Sequence, residues 1–117
     1  MTRAELVTFL RGYRLAVQAS VAADGAPQAA VVGFGVSDAC EIVFDTLTTT
    51  RKYRNLAADP RIALVIGWEH EATAQIEGVV DFPAGAELTR VRPTWVRFSD
   101  FTKDPPLIVE LGGGALA

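Results

Sequence analysis

Hydrophobic residues recur every three to four positions at the start of the chain, which is the spacing of one helix face. The positions with this spacing are Leu6, Phe9, Leu10 and Tyr13. Thr2 precedes them and Glu5 follows Thr2 by three residues, which is the pattern of a capping box. The sequence therefore predicts an amphipathic helix over residues 3–13.

From residue 15 the period changes to two, as in strands with one buried face. This alternation predicts seven strands, over residues 15–21, 28–36, 41–46, 61–68, 73–82, 91–99 and 107–111. The apolar face of the first strand holds Leu15, Val17, Ala19 and Val21. We expect that strand to be half-buried, and we expect Trp68 to continue the inward stripe of the fourth strand. Gly78 interrupts the fifth strand and indicates a bend or a close backbone approach.

Turn and breaker residues connect these strands. Asp24-Gly25 predicts a hairpin between the first two strands. A hydroxyl-rich loop over 46–50 leads into a short helix over 51–58, which ends before Asp59-Pro60. Many short strands with few helices predict a mainly β fold. We expect a barrel of six or seven antiparallel strands, because closure removes exposed sheet edges.

The composition narrows the class of protein. A chain of 117 residues suits a single domain over 1–117, with a frayed tail over 112–117 that contains three consecutive glycines. The net charge of -3 gives no attraction for nucleic acid or an anionic membrane.

Cys40 is the only cysteine, and the N-terminus has no signal-peptide pattern, so we expect a cytoplasmic protein. The high apolar content, 50% of residues, suggests a buried subunit interface.

The most informative local feature is the run Thr48-Thr49-Thr50-Arg51-Lys52, which joins a loop to the second helix. Backbone N–H groups at a helix start, the helix dipole and adjacent cations together bind anions, and a terminal phosphate is the natural ligand. The alternative is that Thr50 only caps the helix and that both cations point into water.

Beyond this local pattern, the chain resembles the pyridoxamine-phosphate-oxidase-like split-barrel flavoproteins. The resemblance is carried by residues 44–46, 50–52 and 55–64, which read FDT, TRK and NLAADPRIAL. It continues in IEGVV at 76–80 and in RPTWVRF at 92–98. It implies a split β-barrel of Greek-key-like topology that binds FMN.

The resemblance also implies site residues. The Ser/Thr-Arg-Lys element of the family binds the FMN phosphate, a role that passes here to Thr50, Arg51 and Lys52. Thr46 matches a hydroxyl residue beside the cofactor.

The remaining candidates concern the flavin ring. The backbone of Ala30, Val31 and Val32 matches the strand that runs along the ring, and Gln75 is a candidate for its edge. Trp95 matches a position that approaches the flavin bound by the other subunit, so the resemblance implies a homodimer with FMN at the interface.

The function that follows is an FMN-dependent oxidoreductase acting on a small substrate, with no side-chain acid or base nominated. One alternative is a reductase that uses a deazaflavin coenzyme, since that branch shares the Lys-x-x-Asn-Leu run at 52–56. Another is a non-catalytic flavin- or heme-binding module.

Several residues depart from the family pattern or carry no site. Ala30 and Gly35 stand where the vitamin-processing oxidases have basic residues, so we do not expect pyridoxine phosphate as substrate. The stretch over 83–90 is shorter than in relatives. The single histidine, His70, lies in a turn without further ligands, so we expect no metal.

Overall fold

A computed structural model describes residues 1–83 and 87–116. The helices are α1 (Arg3–Arg11) and α2 (Arg51–Ala58), and Gly113–Ala115 form a short 3-10 turn. The strands are β1 (Leu15–Val21), β2 (Pro27–Gly33), β3 (Gly35–Val36), β4 (Ile42–Asp45), β5 (Arg61–Ile66), β6 (Ala72–Asp81), β7 (Leu88–Asp100) and β8 (Leu107–Gly112). The fold is mainly β, as predicted. Neither helix of this part of the chain has the length and apolar character needed to cross a membrane.

The strands form one curled antiparallel sheet in the order β2-β1-β5-β6-β7-β4-β3, and β8 also pairs with β7. The two ends of this order, β2 and β3, are consecutive in the chain and are separated only by Phe34. The sheet therefore curls back on itself as a half-barrel whose closing contact is short, since β3 and β4 pair at only two positions. This is the split barrel that the sequence predicts, with the strand over 28–36 divided in two.

The interior is filled by the alternate residues of the central strands. Leu64, Ile66, Ile76 and Val96 are buried there. α1 packs against this core through Leu6 and Leu10 and by an edge-to-face contact between the Phe9 and Phe98 rings, whose centroids are 4.9 Å apart. The helix starts at the predicted capping box, because Thr2 and Glu5 each bond the other's backbone N–H.

Gly78 confirms the predicted close approach. The register between β6 and β7 shifts here, with Glu77 opposite Trp95 but Gly78 opposite Pro93. A Cβ atom on Gly78 would lie 2.6 Å from the carbonyl oxygen of Arg92. The bulge also accommodates Pro93, which has no N–H to give to the ladder.

Three expectations are wrong: the buried face of β1, the position of Trp68 and the frayed C-terminal tail. In β1 the polar face is the buried one: Gln18 and Ser20 are 1% and 2% exposed, whereas Leu15 is 51% exposed. Trp68 is not in the inward stripe, because β5 ends at Ile66 and Trp68 is 47% exposed. The tail is not frayed from residue 112, since that glycine ends β8 and Leu116 packs into the core. Of the short stretch over 83–90, residues 84–86 lie outside the described residues.

Candidate cofactor-binding groove

The start of α2 is fixed by its N-cap residue. The Thr50 hydroxyl accepts a hydrogen bond from the backbone N–H of Tyr53 (3.2 Å) and donates one to the carbonyl of Leu47 (2.7 Å). Arg51 and Lys52 follow as the first two helical residues, whose N–H groups have no acceptor within the helix. Thr50 thus caps the helix, and two cations and two unpaired donors stand together beside it.

α2 is held against the barrel by its other face. Leu56 is buried in the core, and the Tyr53 ring meets the Phe82 ring edge-on at 5.4 Å between centroids. The helix ends where Asp59 adopts extended backbone before Pro60. The position of the helix start relative to the sheet is therefore set by packing that does not involve the cations.

A first cavity of about 510 Å³ lies between α2 and the adjoining strands β1 and β2. Its lining residues are Gln18, Ser20, Pro27, Gln28, Ala29, Ala30, Thr50, Arg51 and Lys52. Four residues that the sequence nominated, Ala30, Thr50, Arg51 and Lys52, come together in this cavity.

A second cavity of about 580 Å³ lies in the split of the barrel, where β2 and β4 are not hydrogen-bonded to each other. It is lined by Val31, Val32, Gly33, Phe34, Gly35, Val43, Phe44, Asp45, Lys52 and Leu88. Lys52 borders both cavities, and their linings follow each other along β2, so we call the two adjacent cavities together the groove. The groove combines a cationic end with a second part in which apolar side chains and polar groups share the lining about equally.

Polar side chains of β1, β2 and α2 form a cluster at the cationic end. Asn55 Nδ2 lies 2.6 Å from the Gln28 amide and 3.4 Å from the Ser20 hydroxyl. The other atom of the Gln28 amide lies 2.9 Å from Nε of Arg51 and accepts from it when that atom is the oxygen, in which case the Gln28 NH2 group faces Asn55. The Arg51 guanidinium therefore lies beside the sheet.

Charges around the groove favour an anion at this end. Within the described ranges, neither Arg51 nor Lys52 has an acidic partner within salt-bridge distance. Asp45 is the carboxylate among the lining residues, and it lies with Lys52 in the second cavity. Arg61 differs from Arg51 and Lys52 because it has an acidic partner, Asp59. Arg61 holds the pKa of Asp59 down to about 2, chiefly through a side-chain hydrogen bond.

Three nominated residues lie outside the two cavities. Thr46 is 2% exposed, and its hydroxyl pairs with that of Thr89 at 3.0 Å. Gln75 and Trp95 line a separate cavity of about 110 Å³ on the outer side of the sheet, next to Val17 and Val65. Within one subunit they do not meet the Arg51 and Lys52 end of the groove.

Sequence reasoning missed Gln18, Ser20 and Gln28 as groove residues. The signal was present, because Gln18 and Ser20 share one face of the first strand. Polar positions normally face water, so the alternation alone assigns that face to the outside of the sheet. Only the pairing with β2 and the position of α2 identify it as the groove wall.

Comparison with known proteins identifies the family. The family model of pyridoxamine 5'-phosphate oxidase matches residues 2–108, and the chain belongs to this family. A pyridoxine/pyridoxamine 5'-phosphate oxidase of Burkholderia multivorans is 34% identical over 96 residues, covering 79% of this chain and 45% of that protein. The chain thus spans less than half the length of this relative.

Solved structures share the fold. A heme binding protein from Mycobacterium smegmatis superposes with a TM-score of 0.79 at 19% identity, covering 99% of this chain and 60% of that chain. A pyridoxamine 5'-phosphate oxidase-related, FMN binding protein from Nostoc punctiforme gives a TM-score of 0.73 at 12% identity, covering 95% and 94%. An F420 reductase gives 0.66 at 22% identity, covering 74% and 91%.

Proposed function

We propose that this chain binds FMN in the groove along β2 and acts as a flavin-dependent oxidoreductase on a small substrate. The observation that carries the proposal is the juxtaposition of Arg51, Lys52 and the free helical N–H groups at one end of a groove whose remainder is lined by apolar side chains and polar groups together. A flavin phosphate needs the first part. The second part offers a flavin ring apolar side chains for its faces and polar groups for its edge.

The residues present fit such a cofactor. Arg51 and Lys52 would neutralise the phosphate, and the Thr50 hydroxyl sits at the same end. The backbone of Ala30, Val31 and Val32 would offer hydrogen-bonding groups along the ring. When bound, the flavin would supply hydride transfer, and the part of the chain would be to bind it, orient it and keep water from its ring.

The predicted homodimer is part of the proposal. The outer face of the sheet carries a row of side chains, Val31, Val17, Val65 and Gln75, that register places side by side across β2, β1, β5 and β6. Val31 is 59% exposed, and Trp95 adjoins this face. A second copy covering the face would bury these apolar groups and would bring its Gln75 and Trp95 near the groove.

The cofactor test is the absorption spectrum of the purified protein, followed by mass identification of what is released on denaturation. We expect a flavin band that is lost in the Arg51→Ala/Lys52→Ala double variant while far-UV circular dichroism stays unchanged. Arg54→Ala is the matched control, since Arg54 lies on the same helix but lines neither cavity. A colourless wild-type protein that gains no band with added FMN would refute the proposal.

The dimer test is sedimentation equilibrium of Val65→Lys. Placing a charge on the outer face should give a monomer and weaken flavin binding. Leu107→Lys on β8, where the residue is 47% exposed, is the control and should remain dimeric. A monomeric wild-type protein would refute the dimer.

A deazaflavin-dependent reductase is the second candidate. The shared fold of the F420 reductase and the cavity in the split support it. Fluorescence titration with FMN and with the deazaflavin coenzyme in parallel distinguishes the two, because the true cofactor binds more tightly. Whichever binds, steady-state oxidation of NAD(P)H distinguishes an enzyme from a binding module.

A further inference from the structure

The side chain of Gln18 lies at the wall of the first cavity, and its amide oxygen has no hydrogen-bond partner among the described residues. The side chain is 1% exposed, and its Oε1 atom bonds no other group in the described part of the chain. Burying an amide with an unmade hydrogen bond destabilises a folded protein. A valine or leucine would fill the same position in a strand without this penalty.

The neighbouring polar groups do not satisfy Gln18. The Ser20 hydroxyl and the Gln28 amide both contact Asn55, and the Gln28 amide also faces Arg51. Gln18 faces Ala30 on β2 and Leu64 on β5, and neither side chain has a polar atom. Within residues 1–83 and 87–116 no group bonds this oxygen, so its partner comes from outside them, as a bound ligand or a water would.

We infer that Gln18 positions the cofactor by hydrogen-bonding a hydroxyl of the polyol chain that joins the flavin ring to its phosphate. The inference rests on the proposed function. Gln18 lines the same cavity as Thr50, Arg51 and Lys52, so a phosphate held there places the adjoining polyol within the same space.

The chemistry of the amide favours a hydroxyl over the phosphate itself. A hydroxyl both donates and accepts, so it satisfies the amide in either of its two rotations. A phosphate dianion only accepts, and Arg51 and Lys52 already provide charged donors for it. The buried Oε1 acceptor needs a donor, which a sugar-alcohol chain offers.

The test compares three flavins with the full chain. FMN carries both polyol and phosphate, riboflavin carries the polyol alone, and lumiflavin carries neither. Their dissociation constants are measured by fluorescence for the wild type, Gln18→Met and Gln18→Leu. Leu64→Met is the matched control, because it alters packing opposite Gln18 without removing a polar group.

Loss of one neutral hydrogen bond should weaken FMN and riboflavin by about fivefold and leave lumiflavin unchanged. The thermal midpoint of the flavin-free variants should equal or exceed that of the wild type, since an unpaired amide is removed. Leu64→Met should change none of the three affinities by more than about twofold.

Two results would overturn the inference while the proposed function stands. Unchanged affinities with a lower thermal midpoint would mean that Gln18 has a structural role, such as holding a buried water. A loss confined to FMN would mean that the amide contacts the phosphate instead. A wild-type protein that binds neither FMN nor riboflavin would refute the proposed function and the inference with it.

Discussion

Replacing Gly78 with alanine should destabilise the barrel without touching the groove. The added Cβ would lie 2.6 Å from the carbonyl oxygen of Arg92 and 3.0 Å from Cγ1 of Val91. The first contact is with backbone, which cannot rotate away as the end of a side chain can. Relief therefore requires β6 and β7 to separate locally, in the pair that joins the two halves of the sheet.

Overpacking of this kind costs about 1–3 kcal/mol, and a backbone contact places Gly78→Ala near the upper end, at about 3 kcal/mol. For a chain of this size the thermal midpoint should fall by about 10 °C. Urea unfolding followed by tryptophan fluorescence measures the free energy of unfolding, with the m-value serving as a check on two-state behaviour.

Gly114→Ala is the control for glycine replacement itself, because a Cβ there meets nothing within 4 Å. Its free energy of unfolding should stay within about 0.5 kcal/mol of the wild type. If Gly78→Ala also stays within that margin, the close approach of the two strands is wrong.

Three further predictions follow from other parts of the chain. Asp59→Asn should make the free energy of unfolding less dependent on pH under acid conditions. The pKa of Asp59 in the folded protein is about 2, below the usual value of 3.8, so the contact with Arg61 stabilises the fold above about pH 4, and this stabilisation is lost as the pH falls toward 2. A pH series of urea melts measures this, and parallel curves for variant and wild type would contradict it. Thr46→Val should cost about 1–2 kcal/mol by leaving the Thr89 hydroxyl unpaired, and Thr89→Val added to it should restore part of the loss. A double-mutant cycle decides this, with simple additivity as the contrary result. Cys40 is buried and burial raises the pKa of its thiol, so Ellman's reagent should react at pH 8 only after denaturation, and fast labelling of the native protein would refute this.

Local signals in the sequence predicted the two helix starts and the close backbone approach at Gly78. Both helices begin at a threonine N-cap, Thr2 or Thr50, whose hydrogen-bond partner lies three residues later. Such a cap can be predicted from the sequence because it does not depend on the rest of the fold. The feature at Gly78 could be predicted for a similar reason, because a glycine inside an alternating strand often marks a bulge, a bend or a close backbone approach.

The pairing of distant strands was not predictable in the same way. β4 pairs with the first half of β7, more than forty residues later, and this pairing opens the split beside β2. Which face of β1 points inward follows from that closure and from α2, not from the strand's own alternation. A strand with Gln18 and Ser20 on one face and valines on the other indicates the reverse of what the barrel requires.

Some residues of the candidate site are neighbours in the sequence, and others are brought together only by the fold. Thr50, Arg51 and Lys52 form one contiguous run, so both the sequence and the structure bring them together. Gln18 and Gln28 join them only through strand register, which the sequence does not display. Gln75 and Trp95 remain predictions, since their place near a cofactor depends on a second subunit.

The ratio of the dissociation constants of riboflavin and FMN tests the central claim most directly, because the two ligands differ only in the phosphate. Two charge-assisted contacts from Arg51 and Lys52 should make FMN bind more tightly by at least about 100-fold. In the Arg51→Ala/Lys52→Ala variant the ratio should fall by at least about 100-fold, with riboflavin affinity little changed. Equal binding of the two ligands by the wild type, or a ratio that the double variant leaves intact, would contradict a phosphate site at the start of α2.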